Sequence, residues 1–362
     1  MKVADLARAM ESIAPARFAA AWDNVGLIVG DESADLTRVL LTIDCTRAVL
    51  DEAVRGGFGA VVSYHPPVFE AQKRFLAGSP AFDAARSGIA IVSPHTALDV
   101  ADGGTNDVLA DALEMTDRAP LRAVEARDVE FKLVTFVPVE HVEAVSRAVF
   151  DAGAGRIGKY SSCSFRAPGT GTFFGEEGAS PVVGRAGRLE EAAELRLETV
   201  VPMDRVAGVV RALRAAHPYE EPAFDLVRLA ATPEGRGLGR VGTVPRATVR
   251  SLAERVKRAL GADHVLLAGS LEREVTRAAV CAGSGADLVK DAARAGAQLL
   301  LTGELRHHDA LSATAAGLDV ICTRHSTSER AALTALERRL AESLPGVTVE
   351  RSREDRDPFV FA

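Results

Sequence analysis

An α/β fold, in which a discontinuous, mainly parallel sheet domain is interrupted by an inserted α+β domain, is what the sequence predicts. Three observations predict it. Strand and helix patterns alternate over the first third of the chain, the same alternation returns over the last third, and a gapless internal repeat lies between them. At 362 residues the chain exceeds one ordinary domain. Its 47% hydrophobic and 26% charged residues give the balance of a globular protein with a sizeable core, not of a disordered chain.

In order along the first third, RVLLTID (38–44) reads as a strand, TRAVLDEAVRGG as a helix and GAVVSYHP (59–66) as a strand. SPAFDAARSG follows as a helix and IAIVSPHT (89–96) as a third strand. The last third repeats the rhythm with strands at 276–283, 298–304 and 318–325, separated by helices through DLVKDAARAG and HDALSATAAG and followed by SERAALTALERRLAESL. Strands separated by helices point to parallel pairing, and the two ends read as one sheet.

The middle differs. LVTFVPVEHVEAVSRAVFDAG from Leu133 aligns without a gap on LETVVPMDRVAGVVRALRAAH from Leu197. Each copy is a strand, a turn begun by proline and an amphipathic helix, with Val142, Val145 and Val149 on one helix face in the first copy and Val206, Val209 and Leu213 in the second. With further strands at SSCSFRA and AFDLVRLA, this makes a split strand-helix-strand, ferredoxin-like unit. The charged, turn-rich flanks TDRAPLRAVEARDV and ATPEGRGLGR set the boundaries: 1–124 and 233–362 form the discontinuous α/β domain, 125–232 the insert. Three successive domains would instead leave two small open sheets with incomplete cores.

No apolar run is long enough to cross a bilayer, and the opening MKVADLARAMESIAPARF reads as an amphipathic helix instead of a secretory signal, so a cytoplasmic protein is expected. Cys45, Cys163, Cys281 and Cys322 form no CxxC pair, which disfavours a disulfide framework or a thiolate zinc site; buried reduced thiols are expected. A formal charge of -7 weighs against nucleic acid as the main partner.

Five of the eight histidines, His65, His95, His307, His308 and His325, fall at or just past the carboxyl ends of predicted strands, the edge where open α/β sheets bind ligands. Two strand ends share a pattern: His95 precedes Asp99 by four residues and His325 precedes Glu329 by four. On a first helical turn that spacing puts both side chains on one face, able to converge on a cation, and His65 comes from a third strand end. Taken singly, each pair also reads as a helix-start carboxylate beside a loop histidine. Imidazole and carboxylate without thiolate suit zinc, iron, manganese or cobalt. Gly237-Leu-Gly239-Arg-Val-Gly242 satisfies G-x-G-x-x-G but lacks the strand-turn-helix context of a dinucleotide fingerprint. Gly283-Ser284-Gly285 stands between strand and helix, as a tight turn or a phosphate cradle.

Trp22-Asp-Asn-Val-Gly-Leu-Ile-Val-Gly30, Ser63-Tyr-His-Pro-Pro-Val-Phe69, His95-Thr-Ala-Leu-Asp99 with Gly104-Thr-Asn106, Thr302-Gly-Glu304 with His307-His308, and His325-Ser-Thr-Ser-Glu329 together resemble the Ngg-one-interacting-factor-three-like proteins. These are also called GTP cyclohydrolase I type 2 homologues or dinuclear-metal-centre proteins. The resemblance spans nearly the whole chain, including the inserted domain of longer members with its His217-Pro-Tyr-Glu-Glu-Pro222 segment. It implies a ring-shaped homohexamer with two divalent ions per subunit: His65, Asp99 and Glu329 on one, His325 and Glu329 on the other, Glu329 bridging. Where many bacterial members carry His-His-Pro, this chain has Tyr64-His65-Pro66, so the second ion loses an imidazole for a phenol, a weak ligand near neutral pH.

A water shared by two ions is an available nucleophile. The resemblance thus implies a metal-dependent hydrolase of a nucleotide-like small molecule, with guanine ring opening suggested by the family name. His95, Glu304, His307 and His308 are then candidates for proton transfer or for orienting ligands. The alternative is a non-enzymatic metal-binding or regulatory assembly, because homologues share sites without sharing substrates.

Overall fold

The computed structural model describes residues 1–124, 130–229 and 235–360. The chain divides into two compact units, Met1–Glu125 with Pro233–Ala362, and Ala126–Thr232. Residues 125, 232 and 233, at which the expected boundaries were set, lie outside the described residues.

The first unit opens with α1 (Val3–Ile13), β1 (Gly26–Val29), β2 (Arg38–Thr42), α2 (Arg47–Arg55), β3 (Ala60–Ser63), α3 (Pro80–Arg86), β4 (Ala90–Ser93), α4 (His95–Val100), α5 (Thr105–Ala112) and β5 (Thr116–Ala123). The second unit is β6 (Glu130–Pro138), α6 (Val142–Asp151), β7 (Ser164–Phe174), β8 (Leu189–Pro202), α7 (Val206–Ala216) and β9 (Phe224–Arg228). The first unit then resumes with β10 (Gly237–Thr248), α8 (Val249–Leu260), β11 (Leu266–Ala268), β12 (Glu274–Ser284), α9 (Val289–Arg294) and β13 (Leu299–Glu304). It closes with α10 (His307–Ala315), β14 (Asp319–Cys322), α11 (His325–Arg330), α12 (Ala332–Ser343) and β15 (Thr348–Arg351).

The strand rhythm suggests one sheet for the first and last thirds of the chain, but they do not form a single sheet. The first unit contains two, ordered β1-β4-β3-β2-β15 and β11-β14-β13-β12-β10-β5. Among the described residues five of their nine pairings are parallel, so the unit is mixed. The centres are parallel because AVVS of β3, AIVS of β4 and LLLT of β13 are apolar on both faces and fully buried. The antiparallel additions lie toward the edges. β5, whose TDRAPLRA sequence resembled a charged linker, pairs with β10 as an edge strand, where polar side chains are tolerated. The run Gly237 to Gly242 also lies in β10, so it forms a ladder and no nucleotide-binding turn.

The C-terminal segment completes the N-terminal sheet. β15 pairs with β2 in parallel, and Leu333, Leu336 and Leu340 of α12 share a core with Val3, Leu6 and Met10 of α1. Both helices repeat apolar residues at three- and four-residue spacing, which gives each one buried stripe. Arg240, 5% exposed, bridges the Asp107 carboxylate and the Gly237 and Gly239 carbonyls, all at 2.8–3.1 Å.

In the second unit β6 and β8 run antiparallel at the centre of a sheet ordered β7-β8-β6-β9. The internal repeat appears as β6 with α6 and β8 with α7; Val142, Val145, Val149, Val209 and Leu213 are buried between helices and sheet, with Val206 at the margin. All four cysteines are free; Cys45 and Cys281 are buried as expected, but Cys163 and Cys322 are only half-buried. Among the described residues no helix is long and apolar enough to cross a membrane.

Candidate metal centre

Beyond its last paired residues β3 keeps its ladder, with the Tyr64 and His65 amides donating to Thr42 and Ile43, and this fixes His65 at the carboxyl edge of the first sheet. His325 opens α11 just after β14, at the corresponding edge of the second sheet, and Glu329 follows one turn later. The two edges meet there. His65 Nε2 is 3.3 Å from Glu329 Oε2 and His325 Nε2 is 3.2 Å from Glu329 Oε1. One ligand atom from each of the three lies within 4.8 Å of the others.

The backbone is bent to achieve this. Arg324 just before α11 has φ 78° and His95 opening α4 has φ 29°, left-handed values that cost non-glycine residues energy and cluster at functional sites. Gly283, φ +61°, passes so close that a Cβ there would lie 2.9 Å from Glu329 Oε1 and 3.3 Å from the His325 ring. The Gly283 amide donates to Ser328 Oγ at 2.8 Å, which ties β12 to α11. The Gly283–Gly285 turn therefore backs this site.

Each imidazole is held by a carboxylate on its far nitrogen. His65 Nδ1 is 2.9 Å from Asp44, which follows β2, and His325 Nδ1 is 3.1 Å from Glu304, which ends β13. Such partners fix the ring and leave Nε2 as the free donor atom, the arrangement usual around bound metals. Without an ion, burial depresses the His65 pKa, but contacts with Asp44 and Glu329 outweigh it and push it up to about 10. Contact with Glu329 pushes His325 up to about 9. Glu329 is 3% exposed, and burial raises its pKa, but the two imidazoles prevail and hold it low. Its Oε2 is buried with the His65 Nε2, 3.3 Å away, as its ion-pair contact.

Asp99 lies on α4 outside this group of three. It accepts from the Tyr64 hydroxyl, which is also 2.9 Å from Thr105 Oγ1. Burial, then the charge of Glu329, pushes the Asp99 carboxyl up to about 6. Burial, then the Asp99 and Glu329 charges, raises the Tyr64 phenol, so it stays protonated as a donor. His95 packs its ring 5.3 Å from that of His65 and is held at Nδ1 by Asp23, 2.7 Å away. Trp22 and Phe69, both largely exposed, place their rings 5.9 and 6.3 Å from His95. His307 and His308 stand exposed at the start of α10, their rings edge to face at 5.2 Å, and are not part of the group. Sequence reading missed Asp44 and Asp23 as orienting groups. The sheet-edge rule that selected the histidines also covers Asp44, and Asp23 sits inside the quoted WDN motif.

A cleft of about 360 Å³ opens beside the triad, bounded by Asp44, His65, Glu304 and His325 and on its apolar side by Leu266 and Phe359. The donor set fits a divalent transition metal: two neutral-capable imidazoles, one buried carboxylate between them, and no thiolate.

Known proteins share this arrangement of sequence. The chain is 36% identical over 360 residues to the GTP cyclohydrolase 1 type 2 homolog of Bacillus subtilis, covering 97% of this chain and 96% of that one. It is 40% identical to the protein of the same name from Mycobacterium tuberculosis, covering 86% and 83%. A crystal structure of a Staphylococcus aureus protein superposes with a TM-score of 0.82 at 27% identity, over 100% of this chain and 99% of that one. That of a Bacillus cereus protein related to NIF3 gives 0.71 at 33%, again over 100% and 99%. The sequence profile described as Duf34/NIF3 (NGG1p interacting factor 3) matches residues 1–358, and the chain belongs to that family.

Proposed function

We propose that this chain holds two divalent ions at the junction of its two sheet edges and hydrolyses a nucleotide-like small molecule. The observation that carries this reading is Glu329: a buried carboxylate contacted by His65 on one oxygen and His325 on the other. One ion would take His65, Asp99 and Glu329 and the other His325 and Glu329, with zinc, iron, manganese or cobalt suited to the donors. Bound there, divalent ions supply a Lewis acid and bring the pKa of coordinated water toward neutrality.

The remaining roles belong to the protein. Asp44 and Glu304 hold the far nitrogens of His65 and His325, so each ring presents Nε2. Tyr64, a donor to Asp99, orients that carboxylate in place of serving as a ligand. His95, braced by Asp23 beside His65, is placed to take or give a proton at Nε2. The exposed Trp22 and Phe69 flanking it offer ring faces to a planar heterocycle. Guanine ring opening is the reaction the relatives' name suggests, and we adopt it as the first substrate class to test. His307 and His308 have no contact that supports a role in this centre.

Unit two is read as an inserted ferredoxin-like domain; its order β9-β6-β8-β7 with helices after β6 and β8 supports this. A homohexameric, cytoplasmic assembly completes the reading. The second reading, an assembly that binds metal without turnover, draws on the same exposed Trp22 and Phe69, which a neighbouring copy would cover. Elemental mass spectrometry on protein purified without added ions, with a chelator-sensitive screen of GTP and other nucleotides, decides between them. Stoichiometric metal and turnover that Glu329→Ala abolishes are expected. Metal without turnover across the panel leaves the assembly reading, and protein that binds no metal removes both.

A further inference from the structure

The second unit contains a cavity of about 550 Å³ lined wholly by its own residues. Along β8, Leu197 and Val201 pack into the core with α6 and α7, while Glu194 and Arg196 take the alternate positions, on the sheet face away from the helices. Such a face normally meets water. Glu194 is nevertheless only 8% exposed, because Ala179, Pro181, Val182 and Tyr219 wall the space above it. Gly171 on β7 lies under the carboxylate so closely that a Cβ there would collide with it.

Glu194 and the Tyr219 hydroxyl face each other in this chamber, and among the described residues no cation joins them. Glu194 forms no ion pair among the described residues, and Arg196, the arginine that lines the cavity, pairs with Glu198 at 2.7 Å. The buried Tyr219 hydroxyl is directed at the Glu194 carboxylate. Burial, then the hydrogen bond to Glu194 and its charge, raises the phenol pKa, which keeps the proton on Tyr219. Phe136 and Phe173 supply apolar walls, and Glu220 and Glu221 add negative charge to the lining. A nearly buried carboxylate in an apolar chamber is costly unless a cation joins it, and an anionic ligand would be repelled.

We propose that this cavity is a binding site for a small organic ammonium ion with an apolar or aromatic body. The ammonium donates to Glu194 and to the Tyr219 oxygen, and the body lies against Phe136, Phe173 and Val182. The site is built within one unit and is independent of the metal centre.

Titration calorimetry of the full chain with phenethylammonium, 2-phenylethanol and 3-phenylpropionate tests it. Saturable binding of the ammonium is expected, with the isosteric alcohol about tenfold weaker or more and the carboxylate silent. Glu194→Gln should remove the preference for the ammonium at an unchanged melting temperature, and Tyr219→Phe should weaken it a few fold. Equal affinity for ammonium and alcohol, or no binding of the ammonium up to about 10 mM, would overturn the proposal without recourse to any variant. So would a Glu194→Gln protein that sediments differently yet binds the probe as before, since the face would then be a contact between copies.

Discussion

His65 and His325 come from two different sheets and from opposite ends of the sequence, yet their rings lie 5.6 Å apart with the Glu329 carboxylate in contact with both. Neither residue reaches this position by local structure alone. Each is delivered by its own strand end and braced by its own carboxylate, Asp44 or Glu304.

The bracing carboxylates should matter nearly as much as the ligands. Asp44→Ala frees the His65 ring to rotate and removes the acceptor that directs its proton to Nδ1. We expect divalent-ion affinity to fall by about 10- to 100-fold with the fold retained, measured by competition against a chromogenic chelator. Unchanged affinity would mean that Asp44 plays no part in orienting the ring.

Without metal, the triad makes stability depend on pH. His65 and His325 have folded pKa values of about 10 and about 9, both above the ordinary 6.5. A raised folded pKa gives stability that is complete below pH 6.5 and is lost as pH rises through 9 to 10. The melting temperature of chelator-treated protein should therefore decline from pH 6.5 to 10. A flat profile for that protein would count against imidazolium in the empty site.

Metal uptake should release protons for the same reason. Ligation requires neutral imidazole, so at pH 7 binding should expel up to about two protons per triad. Calorimetry in buffers of different ionisation enthalpy reads this number directly. Release of none would place the ion away from the histidines.

Gly283→Ala adds an atom where Glu329 and His325 leave no room and forces a side chain into a left-handed backbone. The backbone term alone costs about 1–2 kcal/mol, visible in urea unfolding. Metal affinity should fall as well, because the Cβ displaces a ligand. Gly261→Ala, also left-handed at φ +63° but with open space around it, should destabilise while leaving metal binding intact.

Arg240→Leu removes the buried guanidinium that donates to Asp107 and to the Gly237 and Gly239 carbonyls. Removing one member of such a buried pair costs about 3–5 kcal/mol. A loss below about 1 kcal/mol in denaturant unfolding would show that water reaches the cluster.

Much of this was written in local pattern. The alternation of apolar strands with amphipathic helices marked the central strands to within a few residues, and the duplicated segment marked both strand-helix pairs of the second unit. Four-residue spacing in His325-Ser-Thr-Ser-Glu329 guaranteed a shared helix face wherever that helix went, since one turn nearly repeats in that distance. Other features were illegible for an equally physical reason. β5 carries charges because it is an edge strand, so nothing in its composition separates it from a linker.

The sequence by itself thus determined which side chains stand at strand ends and which pairs share a turn, because both follow from fixed backbone periodicities. Only tertiary packing decided that the parallel strands divide between two sheets, that Glu329 lies between His65 and His325, and that Tyr64 turns to Asp99. Those relations join segments tens to hundreds of residues apart, and their distances are set by how whole faces bury against one another, a quantity no short spacing encodes.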